Sequence, residues 1–229
     1  MPSPDLHGVD TVPWEREALR LCDRYVREVV LPFGLCPWAE PALRAGRVTR
    51  AVCLAEAPTA ADCLPFIERL RSESSIDVAF LVFPRHATGW AAFDSFAERV
   101  RRAEREQPAS RASGQFSGDD GVSGTFMVAA FHPQGAESFS NPHQLISFLR
   151  RTADPTLQFV RAELLERLKQ TQPDISDAVG RHNHAAVLKD DIQARLERTI
   201  ASIAADREAT YAALRGEYPG ERRSRVRSS

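Results

Sequence analysis

Residues 76–83 read Ile-Asp-Val-Ala-Phe-Leu-Val-Phe, an almost unbroken apolar run that ends at Pro84. Runs of this length, rich in Val, Ile and Phe, are typical of a β-strand that is covered on both faces. Two other segments have strand character: residues 48–54, whose side chains alternate along the run, and residues 125–131, Thr-Phe-Met-Val-Ala-Ala-Phe. The sequence therefore predicts three strands, separated by enough residues for a helix in each gap.

Both gaps carry helical patterns. Thr59 followed by Asp62 is a capping signal, although Pro65 inside the following apolar stretch also allows a helix start nearer Leu64. Residues 90–106 repeat apolar side chains at helical spacing. This alternation predicts an α/β fold with a βαβαβ core, a small and mostly parallel sheet, and flanking helices.

In open α/β sheets, ligands bind beyond the carboxyl ends of the strands. Arg85 and His86 follow the second predicted strand, and His132 follows the third. These three side chains are therefore expected at one edge of the sheet. A single histidine at a strand end can equally serve as a structural hydrogen-bonding group.

A thiol occupies the corner after the first helix. Residues 14–33 form an amphipathic helix that is expected to end near Pro32, with Gly34 providing a left-handed exit. Pro37 suits the first position of a new helical turn, which makes Cys36 the cap residue. A thiolate at a helix N-terminus is stabilised, so Cys36 is a candidate reactive group. The alternative is a small apolar side chain packed at the corner.

Three further helices are expected. Asn141-Pro142 and Asp154-Pro155 each resemble a cap followed by a first-position proline, and they predict helices running to about Arg150 and Lys169. Residues 171–180 are expected to form a polar connection, with His182 and His184 in a loop before a long final helix. The apolar face of that helix consists of Leu188, Ile192, Leu196, Ile200, Ile203, Tyr211 and Leu214.

These elements divide the chain into a loose leader at 1–13, an α/β domain at 14–170, a C-terminal helical extension at 171–219 and a disordered basic tail at 220–229. Residues 108–124 are rich in glycine and serine but match no phosphate-binding fingerprint, so a mobile linker, or alternatively a lid, is expected there.

Composition indicates an ordinary globular protein. Of 229 residues, 43% are hydrophobic and 27% are charged, and the formal net charge of −1 argues against a general nucleic-acid binder. No apolar run reaches the length of a membrane span, and the N-terminus lacks the pattern of a signal peptide. The four cysteines show no metal-type pairing, which favours the cytoplasm with reduced thiols.

Three segments together resemble a bacterial family known as domain of unknown function 1415. They are residues 35–39 (Leu-Cys-Pro-Trp-Ala), 131–133 (Phe-His-Pro) and 151–161 (Arg-Thr-Ala-Asp-Pro-Thr-Leu-Gln-Phe-Val-Arg). The resemblance covers roughly residues 14 to 170. The sequence departs from the family pattern at Asp154, where the family has Tyr, and at Gln158, where it has His. The family implies a site without implying a reaction.

The first functional hypothesis is an enzyme that acts on a small anionic molecule. Cys36 would be its nucleophile or a metal ligand, and His132 its base or a second ligand. Arg151 and Arg161 would form an anion clamp, because guanidinium groups match carboxylate and phosphate. Two more side chains are expected to contact the substrate: Trp38 and Gln158.

Two alternatives remain open. The protein could bind haem or a metal through Cys36 and His132, although two ligands do not define a closed site. It could also be a non-catalytic protein that self-associates through the final helix. The sequence assigns no cofactor.

Overall fold

A computed structural model describes residues 11–36, 39–106, 125–135, 141–171, 174–189 and 191–216. Its elements, in chain order, are α1 (Thr11–Tyr25) continued by a π-helical turn (Val26–Val30), α2 (Ala39–Arg44), β1 (Val48–Val52), α3 (Ala60–Ser72), β2 (Val78–Val82), α4 (Trp90–Glu106), β3 (Phe126–Phe131), α5 (Pro142–Leu149), β4 (Thr156–Arg161), α6 (Ala162–Thr171), α7 (Ile175–Val187) and α8 (Ile192–Leu214).

The four strands form one mixed sheet in the order β1-β2-β4-β3. β1 and β2 are parallel, whereas β4 runs antiparallel to both β2 and β3. The strands β1, β2 and β3 therefore all point in one direction, with β4 inserted between β2 and β3. The α/β class and the long C-terminal helix are confirmed, but the expectation of a mostly parallel sheet holds only for the pair of β1 and β2.

The inserted strand is the main correction to the sequence-based prediction. Asp154-Pro155 does not open a helix: Thr156–Arg161 is a strand, and the helix that follows begins at Ala162. Leu157 and Phe159 point to one face of the sheet and are fully buried there, while Val160 on the other face is 9% exposed. A segment that is largely buried on both faces suits a central strand better than an amphipathic helix.

Two helix boundaries also differ from the prediction. α3 begins at Ala60, with the Thr59 backbone N–H donating to the Asp62 carboxylate at 2.7 Å, so Pro65 lies inside the helix and the alternative start near Leu64 is wrong. α7 contains Gly180, His182 and His184, which were expected in a connection and a loop. The final helix begins only at Ile192, and Leu188 is 54% exposed rather than part of its apolar face.

Apolar clusters lie on both faces of the sheet. α3 and α4 pack on one face around Phe83, Phe93 and Phe159. On the other face, α1, α5, α7 and α8 share one cluster that includes Leu21 and Leu196. The C-terminal helices are thus part of the same packed unit as the first helix. No helix among the described residues has both the length and the apolar character needed to cross a membrane.

Candidate functional site

A cleft of about 510 Å³ lies beyond the carboxyl ends of β1, β2 and β3. Loops that follow each of these strands contribute to it, and α1 and α8 close one side. The described residues that line it are Trp14, Glu56, Pro84, Arg85, His86, Ala87, Thr88, His132, Pro133, Gln134, Pro155, Arg207, Glu208 and Arg215. Parallel strands that end at one edge bring these loops together.

Three arginines line the cleft: Arg85, Arg207 and Arg215. Arg85 pairs with the Glu56 carboxylate, and Nη1 of Arg207 donates to Oε1 of Glu208 at 2.9 Å. The side chains of Glu56 and Glu208 are 68% and 69% exposed, so both carboxylates lie at the rim. Ion pairs of this exposed kind are weak.

Arg207 is held by a buried carboxylate. The Asp154 side chain is 1% exposed and accepts hydrogen bonds from Nε of Arg207 and from the Tyr211 hydroxyl, each at 2.7 Å. The hydroxyls of Thr152 and Thr156 donate to the Asp154 carbonyl and fix the local backbone. Burial raises the pKa of the Asp154 carboxyl, while Arg207 and Tyr211 act in the opposite direction. Asp154 therefore links the start of β4 to α8.

Two aromatic rings, those of Trp14 and Tyr211, lie beside Arg85 and Arg207. The Trp14 ring stacks on Tyr211 with 4.7 Å between ring centroids. The guanidinium of Arg85 lies 6.0 Å from the Trp14 ring centroid, and that of Arg207 lies 5.0 Å from the Tyr211 centroid. Such contacts hold a guanidinium group in place while leaving its edge available for hydrogen bonds.

Two histidines contact the same threonine at the cleft. Nδ1 of His86 is 3.2 Å from the Glu56 carbonyl oxygen, and Nε2 of His86 is 2.6 Å from the Thr88 hydroxyl. A carbonyl oxygen only accepts, so Nδ1 carries the proton, and in the neutral ring Nε2 accepts from the Thr88 hydroxyl. Nε2 of His132 is 3.0 Å from the Thr88 carbonyl oxygen.

The hydrogen bonds of His132 determine which of its ring nitrogens carries the proton. Its Nδ1 accepts from the Gln134 backbone N–H at 3.1 Å, so its Nε2 carries the proton that is donated to Thr88. Burial lowers the pKa of His132, which favours this neutral form. Both ring nitrogens are thus engaged by the backbone, and neither is directed at a substrate.

The structure does not bring Cys36 to the cleft. Cys36 is half-buried. Of the expected pair Cys36 and His132, only His132 is among the described residues that line the cleft. The carbonyl of Cys36 accepts from the backbone N–H of Ala39, where the short helix α2 begins. α7 covers this corner, with Asn183 donating to the Leu35 carbonyl. The neighbouring Trp38, expected to contact substrate, lies outside the described residues.

The expected anion clamp is also placed elsewhere. Arg161 is at the opposite end of the sheet, where it donates to the carbonyls of Ile76 and Leu70. Arg151 donates to the Gly135 carbonyl at 2.7 Å, behind the loop that carries His132. Gln158 lies in the middle of β4, between Phe80 and Ala129 of the neighbouring strands. None of the three is among the described residues that line the cleft.

Three side chains of the site were not predicted as site residues from the sequence: Arg207 and Arg215, which line the cleft, and Tyr211, which contacts Arg207. Arg207, Tyr211 and Arg215 belong to the final helix and its end, which carry no motif. The departure from the family pattern at Asp154 was a usable signal, because a buried carboxylate requires partners. In the part of the chain that the structure describes, no three His, Cys, Asp or Glu side chains are grouped as metal ligands.

Residues 17–196 match the model of a family described as a protein of unknown function, DUF1415. The chain belongs to the DUF1415 family. The match contains Arg85, His86, His132 and Asp154, while Trp14 and the cleft residues of α8 lie outside it. A search of curated proteins and a search of solved structures each found no match to this DUF1415 protein.

Proposed function

We propose that this DUF1415 protein binds a small anionic molecule, carrying a carboxylate or phosphate group, in the cleft at the carboxyl ends of β1, β2 and β3. The observation that carries the proposal is the convergence of Arg85, Arg207 and Arg215 on one cavity of about 510 Å³. Guanidinium groups bind both kinds of anion through parallel N–H donors. A cavity of this volume is of the size that holds small ligands.

The bonding of Arg207 supports the proposal. Nε is fixed by the buried Asp154, so the group is positioned in advance, while Nη1 pairs only with the rim carboxylate of Glu208 among the residues that the structure describes. An exposed ion pair contributes at most about 1 kcal/mol. A ligand anion can therefore displace Glu208 at small cost, and by the same reasoning it can displace Glu56 from Arg85.

The other hypotheses gain less support. A Cys36–His132 enzyme and a haem or metal site at the same pair both need a free imidazole nitrogen, whereas both nitrogens of His132 are bonded to backbone groups. Self-association through the last helix needs an available apolar face. In α8 that face is occupied within the chain, where Leu196, Ile203 and Tyr211 are each at most 2% exposed.

The test is titration calorimetry with inorganic phosphate at low ionic strength. Arg85→Gln and Arg215→Gln leave the Asp154 network intact and should each weaken binding by roughly tenfold or more, because a hydrogen bond to a charged group contributes about 1.5–3 kcal/mol. Arg44→Gln is the matched control, since Arg44 is exposed on α2 and, within the described part of the chain, pairs only with its helix neighbour Glu40.

A gain-of-affinity variant sharpens the test. Glu208→Gln removes the carboxylate that competes for Arg207 and should tighten phosphate binding several-fold. The proposal is wrong if phosphate does not bind the wild-type chain, or if Arg44→Gln weakens binding as much as the two cleft variants do.

A further inference from the structure

We propose that the Thr88 hydroxyl is a nucleophile activated by His86, and that the protein hydrolyses or transfers an acyl group of the anionic ligand. The inference rests on the proposed anion-binding function and adds a reaction class to it. The substrate class is an ester or thioester of a small carboxylic acid that carries an anionic group.

The first support is the geometry of the hydroxyl and the imidazole. Oγ1 of Thr88 is 2.6 Å from Nε2 of His86, within the range expected of a nucleophile and its general base. The other ring nitrogen, Nδ1, donates to the Glu56 carbonyl at 3.2 Å. A base whose second nitrogen is bonded to a fixed acceptor is held in one tautomer, which is the arrangement that acyl-transfer sites require.

The second support is the rigidity of both groups. The His86 ring lies against Phe93 and Phe96, with centroid distances of 5.7 and 6.0 Å, and His86 is 8% exposed. The Thr88 carbonyl is bonded to His132, so its backbone is fixed from the other side. Thr88 itself is exposed and lines the cleft. The hydroxyl is therefore accessible to a ligand while its base is buried.

The third support is the position of the arginines. Arg85 directly precedes His86, and Nη2 of Arg207 is 3.5 Å from the Pro84 carbonyl oxygen, so both guanidinium groups lie beside the loop that carries the dyad. An anionic group bound there would place the remainder of a small molecule next to Thr88. Binding at a distance from the reacting bond is a general way of positioning that bond.

The reaction consists of two balanced steps. Oγ1 of Thr88 forms a bond to the acyl carbon, its proton passes to Nε2 of His86, and the bond to the leaving oxygen or sulfur breaks as that atom takes the proton from Nε2. Water then attacks the threonine ester and gives a proton to Nε2. The acid is released when the acyl–oxygen bond breaks and the proton returns to Oγ1.

The experiment uses the full-length protein and a fluorophosphonate probe, which reacts with activated hydroxyls. Oγ1 bonds to phosphorus, fluoride leaves, and the proton goes to His86 and then to solvent. Peptide mass spectrometry should locate one adduct on Thr88. His86→Gln should slow labelling by at least about 100-fold, the lower end of the contribution of a general base. Thr88→Ser should retain labelling, and saturating inorganic phosphate should slow it.

Thr88→Val keeps the side-chain shape and should abolish the adduct. Thr199→Val is its matched control, because the Thr199 hydroxyl donates to the Arg195 carbonyl on α8 and bonds to no histidine among the described residues. Absence of the adduct from the wild-type chain, or an equal adduct in Thr88→Val, overturns the dyad. If phosphate still binds in that case, the anion-binding function stands alone; if phosphate does not bind, that function fails separately.

Discussion

Tyr211→Phe tests whether α8 is held by the buried Asp154 carboxylate. The substitution removes one hydroxyl and keeps the ring, so the stacking on Trp14 and the contact with Arg207 are preserved. It leaves one oxygen of Asp154 without its 2.7 Å donor in a site where the Asp154 side chain is 1% exposed. The loss is therefore confined to a single hydrogen bond.

The charge of the acceptor determines how much stability the substitution costs. A hydrogen bond to a charged group contributes about 1.5–3 kcal/mol, against about 1 kcal/mol for a neutral pair. We expect Tyr211→Phe to lower the free energy of unfolding by ~2 kcal/mol, which corresponds to a Tm lower by about 4–8 °C for a chain of this size. Tyr25→Phe is the matched control, since the Tyr25 hydroxyl is also buried but donates to a neutral acceptor, the Leu149 carbonyl.

Urea denaturation followed by circular dichroism measures both variants. The cost of Tyr211→Phe should be about twice that of Tyr25→Phe, and it should fall to about 1 kcal/mol in an Asp154→Asn background, where the acceptor is neutral. Equal costs for the two tyrosine variants, or an unchanged cost in the Asp154→Asn background, would refute the role assigned to the charge.

Further predictions concern packing, surface charge and pH. Gly135→Ala should destabilise the fold by about 1–3 kcal/mol, because the added Cβ would overlap the Ser147 carbonyl oxygen. Gly180→Ala in α7 should stabilise the fold by about 0.5–1 kcal/mol in the same denaturation assay, because the added Cβ would meet only Pro142 Cβ, at an ordinary contact distance of 3.8 Å. Asp206→Asn removes ion pairs with two α1 arginines, each at 2.8 Å, and should cost ~1 kcal/mol at low salt and less at high salt. Because burial lowers the folded-state pKa of His132, its contribution to stability is present above about pH 6.5 and is lost as the pH falls toward the folded pKa. His132→Asn should therefore flatten this part of the profile of urea midpoint against pH. An unchanged slope would contradict the assignment.

Local sequence patterns were sufficient to predict the helices and strands whose apolar side chains recur at one regular spacing. Residues 90–106 were predicted as a helix and form one over the same span, because the apolar face repeats without interruption. The three strands that point in one direction also lie where they were predicted, β1 from alternating side chains and β2 and β3 from apolar runs. β4 was missed because a cap-like Asp followed by Pro also suits the start of a buried strand, and local signals do not separate the two contexts.

The candidate site was less predictable because it depends on contacts between distant parts of the chain. Asp154 and Tyr211 are 57 positions apart, and no spacing rule connects them. The general rule for α/β sheets located the edge that carries Arg85, His86 and His132. It could not show that His132 binds backbone groups on both nitrogens, since that depends on the path of the loops.

The position of β4 has a consequence for synthesis on the ribosome. A nascent chain that has emerged only to about residue 150 contains β2 and β3 but lacks the strand that lies between them. Each of those strands then presents an unpaired edge to other nascent chains, and exposed edges promote aggregation. Fragments that contain β2 and β3 but end before Thr156 should therefore be poorly soluble, and chaperones are expected to act on the incomplete sheet.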